Sequence, residues 1–478
     1  MPAPRDTTRF KPPAVEAACA IDFGTSNSAI AVVTGTAGAR LVELEPAART
    51  MPTAVFYLVE EAEGSAGPPQ ASLLPHGGAD AARRPPGTSE IDGPPRLFGR
   101  AAIAAYVDGI DGRLMRSMKS ILGSSLLDQT TDVGRGRGVK YRDVVAGYLR
   151  HLKRLAEAEA GTTITRAVLG RPVFFVDDDP ARDAQAQAAL EAAARAVGFE
   201  QVDFQYEPIA AAFDFERGVQ REQIVLVADI GGGTSDFSVV RVGPRRAAAF
   251  DRKADILANH GVHIAGTDFD RRIELGHMLG ELGYRAFGPA IGGAPPREVP
   301  SSVYFDLATW HLINTVYNSQ RVAELRAMRG FYAEPRHHRR LMKVITERLG
   351  HELVARAENA KIAVADGGET RIALDLVEPG LHVGLSEAQA LRAIDDDIAR
   401  IADAARATVA HAGLAPERIA ALYFTGGSTG LRLLAERIAA QFPAAQAVRG
   451  DRFASVANGL ALHAARRFGL TASASAPG

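Results

Sequence analysis

Apolar residues along the chain follow two spacings. Short runs rich in β-branched residues read as strands: Cys19–Asp22, Ala29–Val33, Leu41–Glu45, Ala54–Val59, Val225–Val240, Arg371–Leu376 and Ala421–Phe424. Longer segments between them repeat at helical spacing. In Tyr141–Ala160 the apolar residues Val144, Val145, Tyr148, Leu149, Leu152 and Leu155 fall on one helix face. Asp179-Pro180 places a capping acid before a proline, a helix start, and the Ala-rich helix that follows runs to about Val197 and stops at Gly198. Ala167–Val176 reads as a strand broken by Gly170 and Pro172, and Phe204–Phe215 passes from strand to helix. Arg100–Val107 and Leu114–Leu122 read as short helical or connecting segments. Residues 271–365 are mainly helical, with a Gly/Pro loop at Gly288–Pro300 and one long amphipathic helix over Arg339–Ala365. A helix over Phe453–Arg467 precedes a small-residue tail. Glu60–Pro95 is dense in Gly, Pro, Ala and Ser without periodicity, a loop or partly disordered insertion. Strands alternating with helices predict an α/β protein.

One strand pair organises the rest. In VLVADIGGGTSDFSVV (Val225–Val240) a buried run ends in Asp229; three glycines and Thr234 follow, then Asp236 and a second run. This predicts a strand carrying an acid to its tip and a turn without Cβ atoms, where a phosphate can lie against backbone N–H groups. DFGTSNSAIAVV (Asp22–Val33) repeats the pattern about two hundred residues earlier, with the acid first, Gly24 in the place of Gly231, and Val-Val closing both. Two such hairpins suggest two related halves, their turns clamping a polyphosphate and Asp22 and Asp229 pointing at a shared cation. Ordinary hairpin turns are the competing reading.

Composition narrows the class. The 478 residues suffice for roughly two to four domains. With 46% hydrophobic and 23% charged residues, the chain is expected to be soluble and globular with a sizeable core. A net charge of −1 gives no case for nucleic acid or a membrane surface. The single cysteine, Cys19, allows no intrachain disulfide and no zinc-finger ligand set, which fits a reducing compartment. The N-terminal stretch has no apolar core of a signal peptide, and no run of about 18 apolar residues occurs. A cytoplasmic location is the expectation.

IDFGTSNS, YEPIAAA, DIGGGTSD, GTDFD and TGGST occur in that order. Together they resemble the five signature segments of the 70-kDa heat-shock chaperone (DnaK-type) ATPase domain, in the actin and sugar-kinase superfamily, over about residues 18–467. LGRPVFF and FQYEPIAAAFDFE are most similar to the YegD-like branch, which lacks the peptide-binding domain. The resemblance implies that Gly24, Thr25, Ser26 and Asn27 form a first phosphate loop and Gly231, Gly232, Gly233 and Thr234 a second. Asp22 and Asp229 would hold hydrated Mg²⁺, which keeps most of its waters and uses one or two carboxylates plus phosphate oxygens. Asp236 would lie near the attacking water, Lys119 would reach the γ-phosphate, Glu207 would orient water and metal, and Pro172 would link nucleotide state to domain rotation. Gly426, Gly427 and Ser428 would form the adenosine loop, with Glu358 and Lys361 on the ribose. The competing readings on the residues alone are a turn cap for Asp236, an exposed helical lysine for Lys119, a surface acid at a helix start for Glu207, and an (i, i+3) surface pair for Glu358 and Lys361.

The departures from the family are specific. Two arginines that sandwich adenine are replaced by Ile362 and Gly430, a nearby serine by Ala365, and the threonine before the linked proline by Gly170. No acidic-hydrophobic interdomain linker or peptide-binding β-sandwich is expected. The expected fold is two α/β lobes, each with a mixed five-stranded sheet and flanking helices, and an ATP cleft between them. Lobe I would take residues 18–223 and 451–468, with an inserted subdomain over about 46–139. Lobe II would take 224–450, with a helical insertion over about 269–370; residues 1–17 and 469–478 would be flexible tails. The expected activity is slow Mg-dependent ATP hydrolysis in a chaperone-like switch with a client or co-chaperone partner. The alternatives are a nucleotide-sensing module with negligible turnover and, in third place, a small-molecule kinase.

Overall fold

The computed structural model describes residues 16–470 apart from 36–37, 60–93, 135, 177–178, 291–294 and 452–453. Most of the Glu60–Pro95 insertion, residues 1–15 and residues 471–478 therefore lie outside the described residues. The chain divides into two compact units: one runs to Glu207 and resumes at Val456, and the other is Pro208–Ser455.

In the first unit the sheet order is Gln201–Tyr206, Arg166–Arg171, Ala17–Phe23, Asn27–Thr34, Gly38–Leu41, with Thr50–Pro52 added as a short sixth strand along Asn27–Thr34. The first three pair in parallel and the rest antiparallel. Helices Tyr141–Ala160 and Pro180–Ala196 supply Tyr148, Leu149, Leu152 and Leu190 to a core with Ile21, Phe23 and Leu169. The apolar stripe expected of Tyr141–Ala160 is the buried face. Asp179 caps the next helix, its carboxylate accepting from the Arg182 N–H at 3.0 Å. The inserted region carries the sheet Arg96–Phe98, Ala54–Leu58, Gly112–Arg116 with helix Gly99–Val107 over a small core of Ala54, Phe56, Ala102 and Ala105.

The second unit repeats the plan. Its five-stranded order is Ile256–Val262, Ser235–Val242, Gln223–Ile230, Ala421–Thr425, Gln446–Arg449. In each unit the acid-tipped strand lies at the centre, its hairpin partner and a third strand on one side and two parallel strands on the other. The expectation of two related halves rested on hairpin sequence alone; the shared strand order carries it to the whole sheet. Helices Glu387–His411 and Arg432–Ala439 cover a core that includes Leu226, Phe237, Ile398, Leu422 and Leu434. A second core, with Ile273, Met278, Leu307, Leu341 and Leu353, holds the helical insertion. Among the described residues no helix is long and apolar enough to cross a membrane.

Three expectations are corrected. The strand expected at Leu41–Glu45 ends at Leu41, because Glu45–Ala48 closes a tight turn with Ala47 at φ 59° and its N–H donated to the Glu43 carboxylate at 2.8 Å. Arg339–Ala365 is two helices, Pro335–Thr346 and Gly350–Ala363. Arg348 adopts φ 56°, and the N–H groups of Leu349 and Arg348 bond back to Val344 O (2.9 Å) and Ile345 O (3.4 Å). That is the Schellman ending of a helix, here built on arginine where glycine is usual. Leu114–Leu122 is a strand, Gly112–Arg116, running into a single 3₁₀ turn, Met118–Ile121, so Lys119 is not an exposed helical lysine; it is buried.

Candidate functional site

In the first unit the ends of three parallel strands meet at one edge. The register aligns Ile21 with Leu169, Gly170 with Gln205, and Arg171 with Tyr206, so Asp22, Gly170 and Glu207 arrive at that edge together. In sheets of this kind ligands bind beyond the carboxyl ends of the parallel strands. Asp22 is half-buried there. The turn after it, Gly24–Ser26, is fixed from the inserted side by Thr53. The Thr53 hydroxyl donates to Gly24 O at 2.8 Å and meets the Ser28 hydroxyl at 2.8 Å, and the Thr53 N–H bonds Ser26 O at 2.9 Å. Thr53 carries no sequence signal that sets it apart from any other threonine.

Lys119 and Glu207 come together at the same edge. The ammonium stands 2.5 Å from Glu207 Oε1, with side chains 9% and 15% exposed. Glu207 opens helix Glu207–Glu216, whose dipole favours an acid in the first turn. Ser117, at φ 55°, turns the chain so that the 3₁₀ segment bearing Lys119 can begin. A surface reading of either residue is excluded by burial. The pair is a cation with an acid attached, in a place where few charges are tolerated without a partner.

In the second unit, Asp229 and Asp236 are register partners across the hairpin, and Asp229 is also aligned with Thr425. The two carboxylates therefore share a face of the sheet, an arrangement that is costly unless a cation or donors attend it. The turn between them is closed by Gly231 N–H to Thr234 O at 3.0 Å. Its carbonyls are gripped by neighbours: Ser428 Oγ donates to Gly231 O at 2.7 Å, and the Thr267 N–H and hydroxyl both reach Gly232 O at 2.8 Å. Gly426 follows strand Ala421–Thr425 at φ +87° and lies against Asp229; a Cβ there would stand 2.6 Å from Asp229 Oδ1. The chain needs glycine at that point twice over, for the left-handed backbone and for the close approach. Gly426, Gly427 and Ser428 are thereby brought beside the Gly231–Thr234 turn.

Lys361 and Glu358 lie on helix Gly350–Ala363 but differ in setting. Glu358 is exposed, whereas Lys361 is drawn inward to pair with Asp270 Oδ1 at 2.7 Å and to donate to Gly266 O at 3.3 Å. They do not form the simple (i, i+3) surface pair. Asp270, in the GTDFD motif, did not stand out as a site residue. Burial pushes its carboxyl up to about 6, with Lys361 opposing the rise. Of the departures from the adenine clamp, Ile362 is 61% exposed, Gly430 is buried and Ala365 is half-buried.

The donor set bears on a metal. Among the described residues no group of three or more His, Cys, Asp or Glu is gathered as an all-protein cage. Within the second unit the facing pair Asp229 and Asp236 is the small carboxylate set that suits a hydrated Mg²⁺, which takes few carboxylates and completes its shell with water and phosphate.

Two mixed α/β units of shared strand order, each with an acid-tipped hairpin, define an actin-like ATPase fold. A family model described as Hsp70 protein matches residues 117–284. The matched stretch includes Lys119, Glu207, the Asp229–Asp236 turn and Asp270. The match is a likeness to that family over about a third of the chain.

Proposed function

We propose that this chain is a Mg-dependent ATP-binding and ATP-hydrolysing, chaperone-like protein of the YegD-like type, which hydrolyses slowly and switches between nucleotide states. The observation that carries the reading is the buried Lys119–Glu207 contact at the strand edge where Asp22 ends. Hydrolysis of a phosphoanhydride needs an in-line water and neutralisation of charge on the equatorial oxygens. The Lys119 ammonium supplies fixed positive charge at the transferred phosphoryl group, and Glu207, bonded to it, orients the water. Asp236 would take the part of the acid that the resemblance puts near the attacking water. Backbone N–H groups of Gly24–Asn27 and Gly231–Thr234 hold phosphate oxygens, as such turns do elsewhere. Gly426, Gly427 and Ser428 accept the nucleoside, and Lys361 with Glu358 the ribose. Asp22 and Asp229 would hold Mg²⁺, which would supply neutralisation of phosphate charge. A client or co-chaperone protein would read the nucleotide state, in a cytoplasmic setting.

The test is phosphate release from Mg-ATP by the purified chain, beside Lys119→Ala and a control without magnesium. Slow release that disappears in both supports the reading, and equal release by Lys119→Ala removes Lys119 from its role. A second reading, a nucleotide sensor without turnover, is favoured by the missing arginine pair at Ile362 and Gly430; ATP binding with no release would establish it.

A further inference from the structure

The interior beside the Gly231–Thr234 turn contains an acid that the proposed chemistry does not use. Glu274 follows helix Gly266–Ile273 at the point where the chain widens into five residues of π-helix, Glu274–Met278. Such widenings are rare and cluster at functional sites. The Glu274 side chain is fully buried, and neither carboxyl oxygen has a hydrogen-bond partner among the described residues. Burial first, and then the charge of Asp270, push it well above the usual carboxylate range. An unpaired acid in that setting stays neutral. One helical turn earlier, Asp270 is 5% exposed in the same interior, but Lys361 lies against it. Burial raises both carboxyls, and at Asp270 the Lys361 ammonium opposes that rise.

The Asp270–Lys361 pair leads outward to the turn through contacts already described. Lys361 also donates to Gly266 O at 3.3 Å, and the N–H of that same peptide, on Thr267, donates to Gly232 O at 2.8 Å; the preceding N–H, on Gly266, donates to Gly231 O at 3.3 Å, the carbonyl that Ser428 Oγ also grips. We propose that Asp270 is a positioning residue: its ionised carboxylate fixes Lys361, Lys361 fixes the Gly266–Thr267 peptide, and that peptide, through the Thr267 N–H on Gly232 O, holds the Gly231–Thr234 turn in its phosphate-accepting shape. The proposal rests on the nucleotide-binding reading of that turn. The groups facing Asp270 are Lys361 and Glu358 from helix Gly350–Ala363 and Asp268 and Glu274 from its own segment. Helix Glu387–His411 brings Asp397, which Arg272 takes up at 3.0 Å. Lys361 is thus the cation for Asp270. As pH falls through about 6, Asp270 gains a proton and the clasp opens.

The experiment compares ATP dissociation constants of the full chain and Asp270→Asn from pH 7.5 to 5.5. The ratio of the two cancels the titration of the nucleotide itself. The expected ratio is about tenfold at pH 7.5, the worth of one charge-assisted hydrogen bond, and falls toward unity at pH 5.5. A ratio near unity throughout, or one that stays constant with pH, overturns the proposal. Lys361→Met serves as a second variant: the double variant should be no weaker than either single one, and additive losses count against the clasp. If the wild type binds no ATP at pH 7.5, the nucleotide reading fails on its own. The clasp is then read from amide exchange at Gly231–Thr234, which should be faster in Asp270→Asn than in wild type at pH 7.5; equal exchange overturns it.

Discussion

Gly426 and Asp229 are packed so that the backbone of one fills the space a side chain would need beside the carboxylate of the other, 2.6 Å from Cβ position to Oδ1. The strand that delivers Gly426 is the parallel neighbour of the strand that ends in Asp229, so both are fixed by one ladder. Gly426→Ala must either move Asp229 or distort a backbone at φ +87°, and a non-glycine residue there costs about 1–2 kcal/mol. The expected result is ATP affinity reduced by about tenfold or more, measured by calorimetry. Unchanged affinity would mean that Asp229 is not needed where it stands.

Gly170 makes room for Glu207 in the first unit. A Cβ at this position would lie 3.2 Å from Glu207 Cγ, 3.3 Å from its Oε1 and 3.1 Å from Leu460 Cδ1. Gly170→Ala therefore shifts the carboxylate by a few tenths of an ångström and disturbs its contact with Lys119. Turnover should fall about tenfold while ATP affinity changes less, because a small misplacement costs more in a transition state than in binding. Steady-state kinetics beside equilibrium binding separate the two effects.

Arg252 is a test of stability away from the site. It is fully buried and bonds both oxygens of Glu216 at 2.9 and 3.0 Å, together with Asp255. Glu216 also accepts the Gly243 N–H at 2.9 Å, so the end of helix Glu207–Glu216 is tied to the end of strand Ser235–Val242. Arg252→Met leaves the buried Glu216 without a cation and Asp255 with Arg246 alone, which costs about 3–5 kcal/mol. Urea unfolding should show a midpoint shift of that order, whereas a loss under 1 kcal/mol would show the network to be dispensable.

Asp203 predicts the acid side of the stability profile. The nearby His463 ring first, its Nε2 3.6 Å away, and then the Phe204 N–H and Arg467, hold its carboxyl at about 2 against the opposing effect of burial. Its folded value lies below the unfolded one, so its stabilisation is present above about pH 4 and is lost as pH falls toward 2. Asp203→Asn should melt below wild type at pH 7, with the gap closing on acidification. A gap that is independent of pH would assign the loss to shape rather than charge.

Much of this was open to reading in the chain. The two acid-tipped hairpins are legible because β-branched apolar runs ending in an acid and a glycine-containing turn are local signals, and the face of Tyr141–Ala160 is legible because helical spacing of apolar residues survives without context. The Lys119–Glu207 contact joins residues 88 positions apart, and nothing near Lys119 announces that it will be buried. The break at Arg348 was missed because the helix ends on a left-handed arginine, and the usual sign, glycine, is absent. Asp270 sits inside the GTDFD segment with no local feature to set it apart. Its importance comes from a lysine on another helix, a partner that spacing along the chain cannot supply.

The first unit is discontinuous in sequence. Its sheet edge strand Gln201–Tyr206 meets helix Ser455–Arg467 through Arg467 on Asp203 at 2.6 Å and Gln205 beside His463 at 3.1 Å. During synthesis from the N-terminus, that strand therefore emerges about 250 residues before the helix that covers it. The second unit is complete first. A nascent chain passes through a stage in which Pro208–Ser455 can be folded while the earlier unit still exposes the surface meant for its last helix, so the unit made first is the one finished last.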